Sequence, residues 1–164
     1  MPGCGKTTAA KKLAELLPDF ESVDIDQIIE QKERMTITKI FEEKGEEYFR
    51  KCEQDVIKSV SSKRNQIIST GGGCFEDEEN RLNLAESGII FFLDCDLEVL
   101  FERTKSNNSR PLLQSNDILE KIKDLYNKRI KNYQRADFTI NSTQNTELIA
   151  AEILRIYNNE RDNY

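Results

Sequence analysis

The chain has 164 residues, 37% of them hydrophobic and 33% charged, with a net charge of −6; this is enough for one domain with a real core, and an acidic balance that argues against general affinity for nucleic acid. It contains no histidine, which excludes Ser-His-Asp and Cys-His catalysis and the H-E-x-x-H metalloproteases. The longest apolar run, residues 88–93, is too short to cross a membrane, and no signal-peptide pattern is visible. The four cysteines (Cys4, Cys52, Cys74, Cys95) are scattered without a C-x-x-C pair, so they read as reduced thiols in a cytoplasmic protein.

The first stretch is Met1-Pro2-Gly3-Cys4-Gly5-Lys6-Thr7-Thr8. Gly5-Lys6-Thr7 closes a phosphate-binding loop of the form G-x-x-x-x-G-K-S/T, in which backbone N–H groups wrap phosphates at the positive end of the following helix. In that motif Lys6 reaches the β- and γ-phosphates, and the Thr7 hydroxyl ligates Mg²⁺. The spacing puts the motif's first glycine one position before Met1, and the strand that leads into such loops earlier still. Ala9, Ala10, Leu13, Ala14, Leu16 and Leu17 recur at helical spacing, and Pro18 closes the helix. A helix straight after Gly-Lys-Thr is the context the motif requires; a flexible small-residue stretch is the bland alternative.

Residues 21–26 read as a short strand ending in Asp24-Ile25-Asp26, followed by a helix over 27–34. Thr36 caps another short helix with Ile37, Ile40 and Phe41, which Gly45 breaks. Residues 46–61 form a longer helix with Phe49, Cys52, Val56, Ile57 and Val60 inward. A buried strand at 66–70 is punctuated by Gly71-Gly72-Gly73, and a helix over 78–87 precedes the strand 88–94. Residues 97–104 are helical, and 105–111 are polar and turn-rich, the composition of a mobile loop. A strong amphipathic helix spans 116–133, a last strand 138–141, and Asn145 or Thr146 caps the final helix. Strands alternating with helices imply an α/β fold, a parallel sheet covered on both faces, whose ligands gather at the carboxyl ends of the strands. Asp24, Asp26, the three glycines and residues 94–96 fall at such ends.

The alternation of Asp24 and Asp26 in an extended chain points their carboxylates to opposite sides; one can serve a metal while the other meets a substrate hydroxyl, and the competing role for Asp26 is a helix N-cap. Three consecutive glycines let another molecule approach the backbone closely, which is more permissiveness than a turn needs. Arg50 and Glu53 share one helix face and can pair. Arg129, four residues before Tyr133, reads alone as a solvated helical arginine, while Arg103 and Arg110, flanking and within the polar loop, are candidate charge stabilisers near a nucleotide.

The order and spacing of these features resemble the shikimate kinase family. The series is M-P-G-C-G-K-T-T, D-I-D, F-R-x-x-E, G-G-G followed by Asn80-Arg81, R-T before S-R-P-L, and R-I-K-N-Y-Q-R-A-D. The resemblance implies a P-loop NTPase fold of the nucleoside monophosphate kinase-like type, three layers with strand order 2-3-1-4-5 in which strand 1 is absent, as one domain over residues 1–164. It implies transfer of the γ-phosphoryl group of ATP to the 3-hydroxyl of shikimate, in aromatic amino-acid and chorismate biosynthesis, by a cytoplasmic monomer. Gly3, Cys4, Gly5, Lys6, Thr7 and Thr8 then cradle ATP, with Arg103 on the adenine side. Arg110 closes over the transferring phosphate on a lid at about residues 105–113. Thr7 and, through water, Asp24 hold Mg²⁺. Asp26, Arg50, Gly71, Gly72, Gly73 and Arg129 hold shikimate, with the arginines on its carboxylate and Glu53 holding Arg50. Lys6, Asp26 and Arg110 are the catalytic set.

The family pattern expects a strand and a glycine before Met1, so the expectation is a protein that starts further upstream. Two other readings are a related small-molecule kinase, such as a gluconate kinase, and a pseudokinase that binds ATP without turnover.

Overall fold

A computed structural model describes residues 1–105 and 118–161. The elements follow in the order α1 (Lys6–Leu16), β1 (Glu21–Asp24), α2 (Ile25–Glu33), α3 (Ile37–Ser61), β2 (Gln66–Ser69), a short 3-10 turn at Cys74–Glu76, α4 (Glu78–Ser87), β3 (Phe91–Asp94), α5 (Leu97–Lys105), α6 (Ile118–Tyr133), β4 (Phe138–Asn141) and α7 (Thr146–Glu160).

Several boundaries shift by a few residues from the sequence expectation, and one shift bears on function. The first strand ends at Asp24, so Asp24 and Asp26 are not two members of one extended alternation. Asp24 is the N-cap, its Oδ1 accepting from Gln27 N at 3.3 Å, and Asp26 lies in the first helical turn beyond it. A cap satisfies an N–H that the helix cannot, and Asp24 is the first carboxylate to reach that position. Gly45 breaks α3 as the sequence suggests, with non-helical backbone at φ 83° and ψ 168° between its two helical segments. At the last helix the choice falls on Asn145, whose Oδ1 accepts from Leu148 N at 2.9 Å.

The strands form two parallel ribbons. β1 pairs with β2, from Glu21 opposite Gln66 to Asp24 opposite Ser69; β3 pairs with β4, from Phe91 opposite Phe138 to Asp94 opposite Asn141. In the expected order 2-3-1-4-5 these are the pairs 2-3 and 4-5, and among the described residues no strand lies between them. A cavity of about 600 Å³ separates the ribbons, lined by Ile67 and Ile68 of β2, Phe92 and Leu93 of β3, and Ala9 and Leu13 of α1 among others. Elsewhere in the core Ile25, Ile29, Ile40, Ile57, Leu100, Ile122 and Ile140 are fully buried, so apolar burial holds the layers together. Among the described residues no helix is long and apolar enough to cross a membrane.

Candidate active site

The strand ends bring two groups of side chains together. The first surrounds the phosphate loop. Gly3 and Gly5 hold left-handed backbone, at φ 78° and 84°, which glycine adopts without steric cost. Gly5 leads directly into α1, its carbonyl accepting from Ala9 N at 2.8 Å. The free N–H groups of the first helical turn therefore face the loop, a ready anion site. Lys6 folds back over it, donating from Nζ to Met1 O at 2.7 Å and to Cys4 Sγ at 3.4 Å. Burial pushes the Cys4 thiol up while the Lys6 ammonium pulls it down, and the balance lies at about 7. Thr8 is exposed at the head of the helix.

Thr7 Oγ1 donates to Asp24 Oδ2 at 2.7 Å and lies 3.4 Å from Ser69 Oγ. Two hydroxyls and a carboxylate thus converge from α1, β1 and β2, a hard-oxygen set of the kind Mg²⁺ prefers. Sequence reasoning found Thr7 and Asp24 but missed Ser69; its signal was its place as the last residue of a strand facing the loop. Arg103 sits on the loop's far side, donating from Nη1 to Ser142 O at 3.0 Å and from Nη2 to Thr143 O at 3.4 Å. A Cβ on Gly3 would come within 3.7 Å of the Arg103 Cβ, so α5 and the phosphate loop are in contact. Arg110 and all but the first residue of the expected 105–113 lid lie outside the described residues.

The second group is organised by the three glycines. The sequence suggests that another molecule approaches their backbone; in the structure the protein's own polar side chains already do. A Cβ at Gly71 would lie 3.1 Å from both Asp26 Oδ1 and Glu53 Oε1. At Gly72 it would lie 3.4 Å from Arg129 Nη1 and 3.5 Å from the Tyr133 hydroxyl. At Gly73 it would meet Arg50 Nη2 at 2.5 Å and Nη1 at 2.7 Å. The glycines thus gather Asp26 from α2, Arg50 and Glu53 from α3, and Arg129 from α6 around one turn. Pro2 closes the gap to the first group, its Cδ 3.6 Å from the Cβ position of Gly72.

The two arginines differ in state. Arg50 is paired, through Nη1 to Glu53 Oε2 at 2.8 Å and Nη2 to Glu46 Oε1 at 2.9 Å. Glu53 is fully buried; burial pushes its carboxyl up from the ordinary value, and the Arg50 guanidinium pulls against that shift. Arg129 is 8% exposed, its Nε has no hydrogen-bond partner, and among the described residues no carboxylate pairs with it. The sequence reads Arg129 in isolation as solvated, and the structure buries it. A buried guanidinium without a counter-ion is costly, and a carboxylate ligand would supply the missing charge.

An alanine at Gly73 tests this packing. The displaced atoms are Arg50 Nη1 and Nη2, which pair with Glu53 and Glu46, so Gly73→Ala should fold but melt somewhat below wild type. It should also raise about 10-fold the KM of any carboxylate substrate that Arg50 binds, the loss of one charge-assisted contact. An unchanged KM in steady-state kinetics would show that Arg50 does not need this position.

A phosphate loop opening a helix, oxygen groups at adjacent strand ends and two arginines gathered at the glycine turn beside them have the form of an α/β phosphate-loop kinase. A family model described as Shikimate kinase matches residues 2–158. The chain is 41% identical over 156 residues to a shikimate kinase of Thermodesulfovibrio yellowstonii, covering 94% of this chain and 90% of the relative. It is 46% identical over 140 residues to one of Persephonella marina, covering 85% and 84%. The solved structure of shikimate kinase from Acinetobacter baumannii in complex with shikimate superposes with a TM-score of 0.92 at 36% identity, over 97% of this chain and 90% of that one. The Aquifex aeolicus enzyme gives 0.83 at 37% identity, over 96% and 92%. The chain belongs to the shikimate kinase family, and is an ATP-dependent phosphotransferase.

Proposed function

We propose that the two groups of side chains carry the family's reaction, transfer of the γ-phosphoryl group of ATP to the 3-hydroxyl of shikimate, with each residue in the role the sequence suggests. The single observation that carries the reading is Arg129, buried beside the glycine turn with no carboxylate counter-ion among the described residues. Such a cation needs an anionic ligand, and with Arg50 it offers a planar carboxylate two guanidinium forks. Asp26, across the same turn, is placed to accept a hydrogen bond from a ring hydroxyl.

The chemistry then follows from position. The loop N–H groups and Lys6 take the phosphates, which requires Lys6 to leave Met1 O and Cys4 Sγ for the nucleotide. Thr7, with Asp24 through water, would hold Mg²⁺, and the ion supplies charge neutralisation between the phosphates. Among the described residues no group of three His, Cys, Asp or Glu could cage a metal, which suits an ion shared with the nucleotide. Asp26 orients the attacking hydroxyl and takes its proton as the O–P bond forms and the bond to ADP breaks. In-line positioning and charge stabilisation supply most of the rate. Arg103 sits beside the loop for the nucleotide, and Arg110 keeps its closing role on the family's motif. We further place the enzyme in the cytoplasm, where its four free thiols stay reduced, as a monomeric single domain.

The test is ADP release from MgATP with and without shikimate, with gluconate as the competing acceptor. Shikimate-dependent release is expected, falling in Asp26→Asn by about 100-fold or more in kcat, the usual share of a positioned general base. Release that gluconate stimulates instead, or nucleotide binding with no turnover for either acceptor, would overturn the reading. Equal kcat in Asp26→Asn would remove Asp26 from the proton path while leaving the reaction standing.

A further inference from the structure

We infer that Tyr133 is a positioning residue: it locks the glycine turn to α6 and so fixes the gap between the two arginines that receive the substrate carboxylate. The inference rests on the substrate reading above and goes beyond it, since it gives a task to a residue that touches no ligand there.

The two arginines stand on different halves of the molecule. Arg50 is on α3, which packs against α2 and α4 beside the β1–β2 ribbon, whereas Arg129 is on α6, which packs against α5. Neither ribbon hydrogen-bonds to the other, so the strand ladders do not set the distance between these halves. A bidentate clamp tolerates little error in that distance.

Tyr133 spans the junction. Its hydroxyl donates to the carbonyl of Gly72, within the turn that follows β2. Its ring stacks on Phe92 of β3, centroids 5.0 Å apart and planes 28° from parallel. Its backbone belongs to the same helix as Arg129, one turn further on, where side chains four apart share a face. One side chain therefore touches the first ribbon's turn, the second ribbon's strand and the neighbourhood of the second arginine. Tyr133 is 6% exposed, and burial pushes its hydroxyl up to about 12, so it stays a donor at neutral pH. Asn132 adds a parallel tie, donating from Nδ2 to Glu76 Oε1 at 3.2 Å in the 3-10 turn. The Cβ that Gly72 lacks would sit 3.5 Å from the Tyr133 hydroxyl, so the turn and the phenol are fitted to each other.

Tyr133→Phe keeps the ring stack and removes the hydroxyl, which ties both the Gly72 carbonyl and the Arg129 guanidinium to one point. It should raise the KM for shikimate about 10-fold, as loss of one buried hydrogen bond does, with kcat and the KM for MgATP within about threefold of wild type. Tyr133→Leu, which loses the stack as well, should raise it further. Amide hydrogen exchange of the unliganded protein is the second measurement. Cys74 N donates to Gly71 O at 3.2 Å inside the turn, and its exchange should quicken several-fold in Tyr133→Phe, while the amides of α7 keep their wild-type rates. A shikimate KM within twofold of wild type, or equal rises in both KM values, overturns the inference. If the wild-type protein shows no shikimate-dependent turnover, the substrate reading fails by itself; the exchange result then decides whether Tyr133 locks the turn, and unchanged exchange overturns that too.

Discussion

Replacing Arg129 by methionine should raise the KM for shikimate by about 100-fold while raising, not lowering, the melting temperature. The kinetic part follows from charge-assisted, fork-shaped hydrogen bonds to a carboxylate, worth about 2–3 kcal/mol together, with each 1.4 kcal/mol being tenfold. The stability part follows from the burial of a cation that no carboxylate neutralises among the described residues. Arg129 is 8% exposed, and its Nε has no partner. The unliganded fold therefore bears a desolvation penalty that an apolar side chain of similar length removes. A gain of about 1 kcal/mol corresponds to roughly 2–4 °C in a domain of this size. Addition of shikimate should then stabilise the wild type far more than Arg129→Met, because the variant binds it about 100-fold more weakly. Thermal melts with and without shikimate, beside steady-state kinetics, check all three statements. A variant that melts clearly below wild type would mean that the guanidinium is paired within the fold, and the argument for its waiting on a ligand would fall.

Arg50 differs in kind, although the family motif gives both arginines one task. Its two partners, Glu46 and Glu53, are already in place, and Glu53 is fully buried. Removing Arg50 would strand that carboxylate, so its loss would harm folding and binding together. Arg129 separates the two effects, and is the better probe of the site.

Much of this site was legible in the chain because its chemistry is local. The turn from Gly3 to Lys6 needs left-handed glycines, and a helix follows at once; spacing alone shows both. Asp24, Arg50 and the three glycines stand at element ends or on one helix face, where periodicity places them. What escaped reading depends on contacts distant in sequence. Arg129 reads as solvated because the cover over it comes from Gly72 and Tyr133, and the former is far away in the chain. That Asp24 and not Asp26 caps α2 turns on where a strand stops, which a D-I-D sequence leaves open: alternation favours a longer strand, but the first available cap ends it. Ser69 is invisible as a metal-side hydroxyl until β2 is paired with β1, when it falls opposite Asp24. The break at Gly45 was readable, because glycine takes the positive φ found there.

The slot between the ribbons leads to the prediction with the largest effect on stability. Residues 65–72 and 87–93 line it from the two sides, so the inner edges of β2 and β3 face each other across apolar walls. One extended segment parallel to both could pair with each edge and bury its side chains on both faces. A version of the protein carrying Ile-Val-Leu-Ile-Gly directly before Met1 supplies such a segment, together with the glycine that the phosphate-loop spacing calls for. Each apolar side chain gains about 1.5–3 kcal/mol by burial, against about 1–2 kcal/mol to order its backbone. The slot walls leave water at the same time, which moves the balance to a net gain of about 3–5 kcal/mol, or roughly 10 °C or more in melting temperature. The added strand also fixes the entry to the phosphate loop, whose Met1 carbonyl now holds Lys6 at 2.7 Å, so the KM for MgATP should fall as the melting temperature rises. A matched Ser-Asp-Ser-Glu-Gly extension is the control, since its charged side chains cannot enter an apolar slot. If both extensions leave the melting temperature where it was, the slot does not accept a strand, and the two ribbons are held by their helices alone.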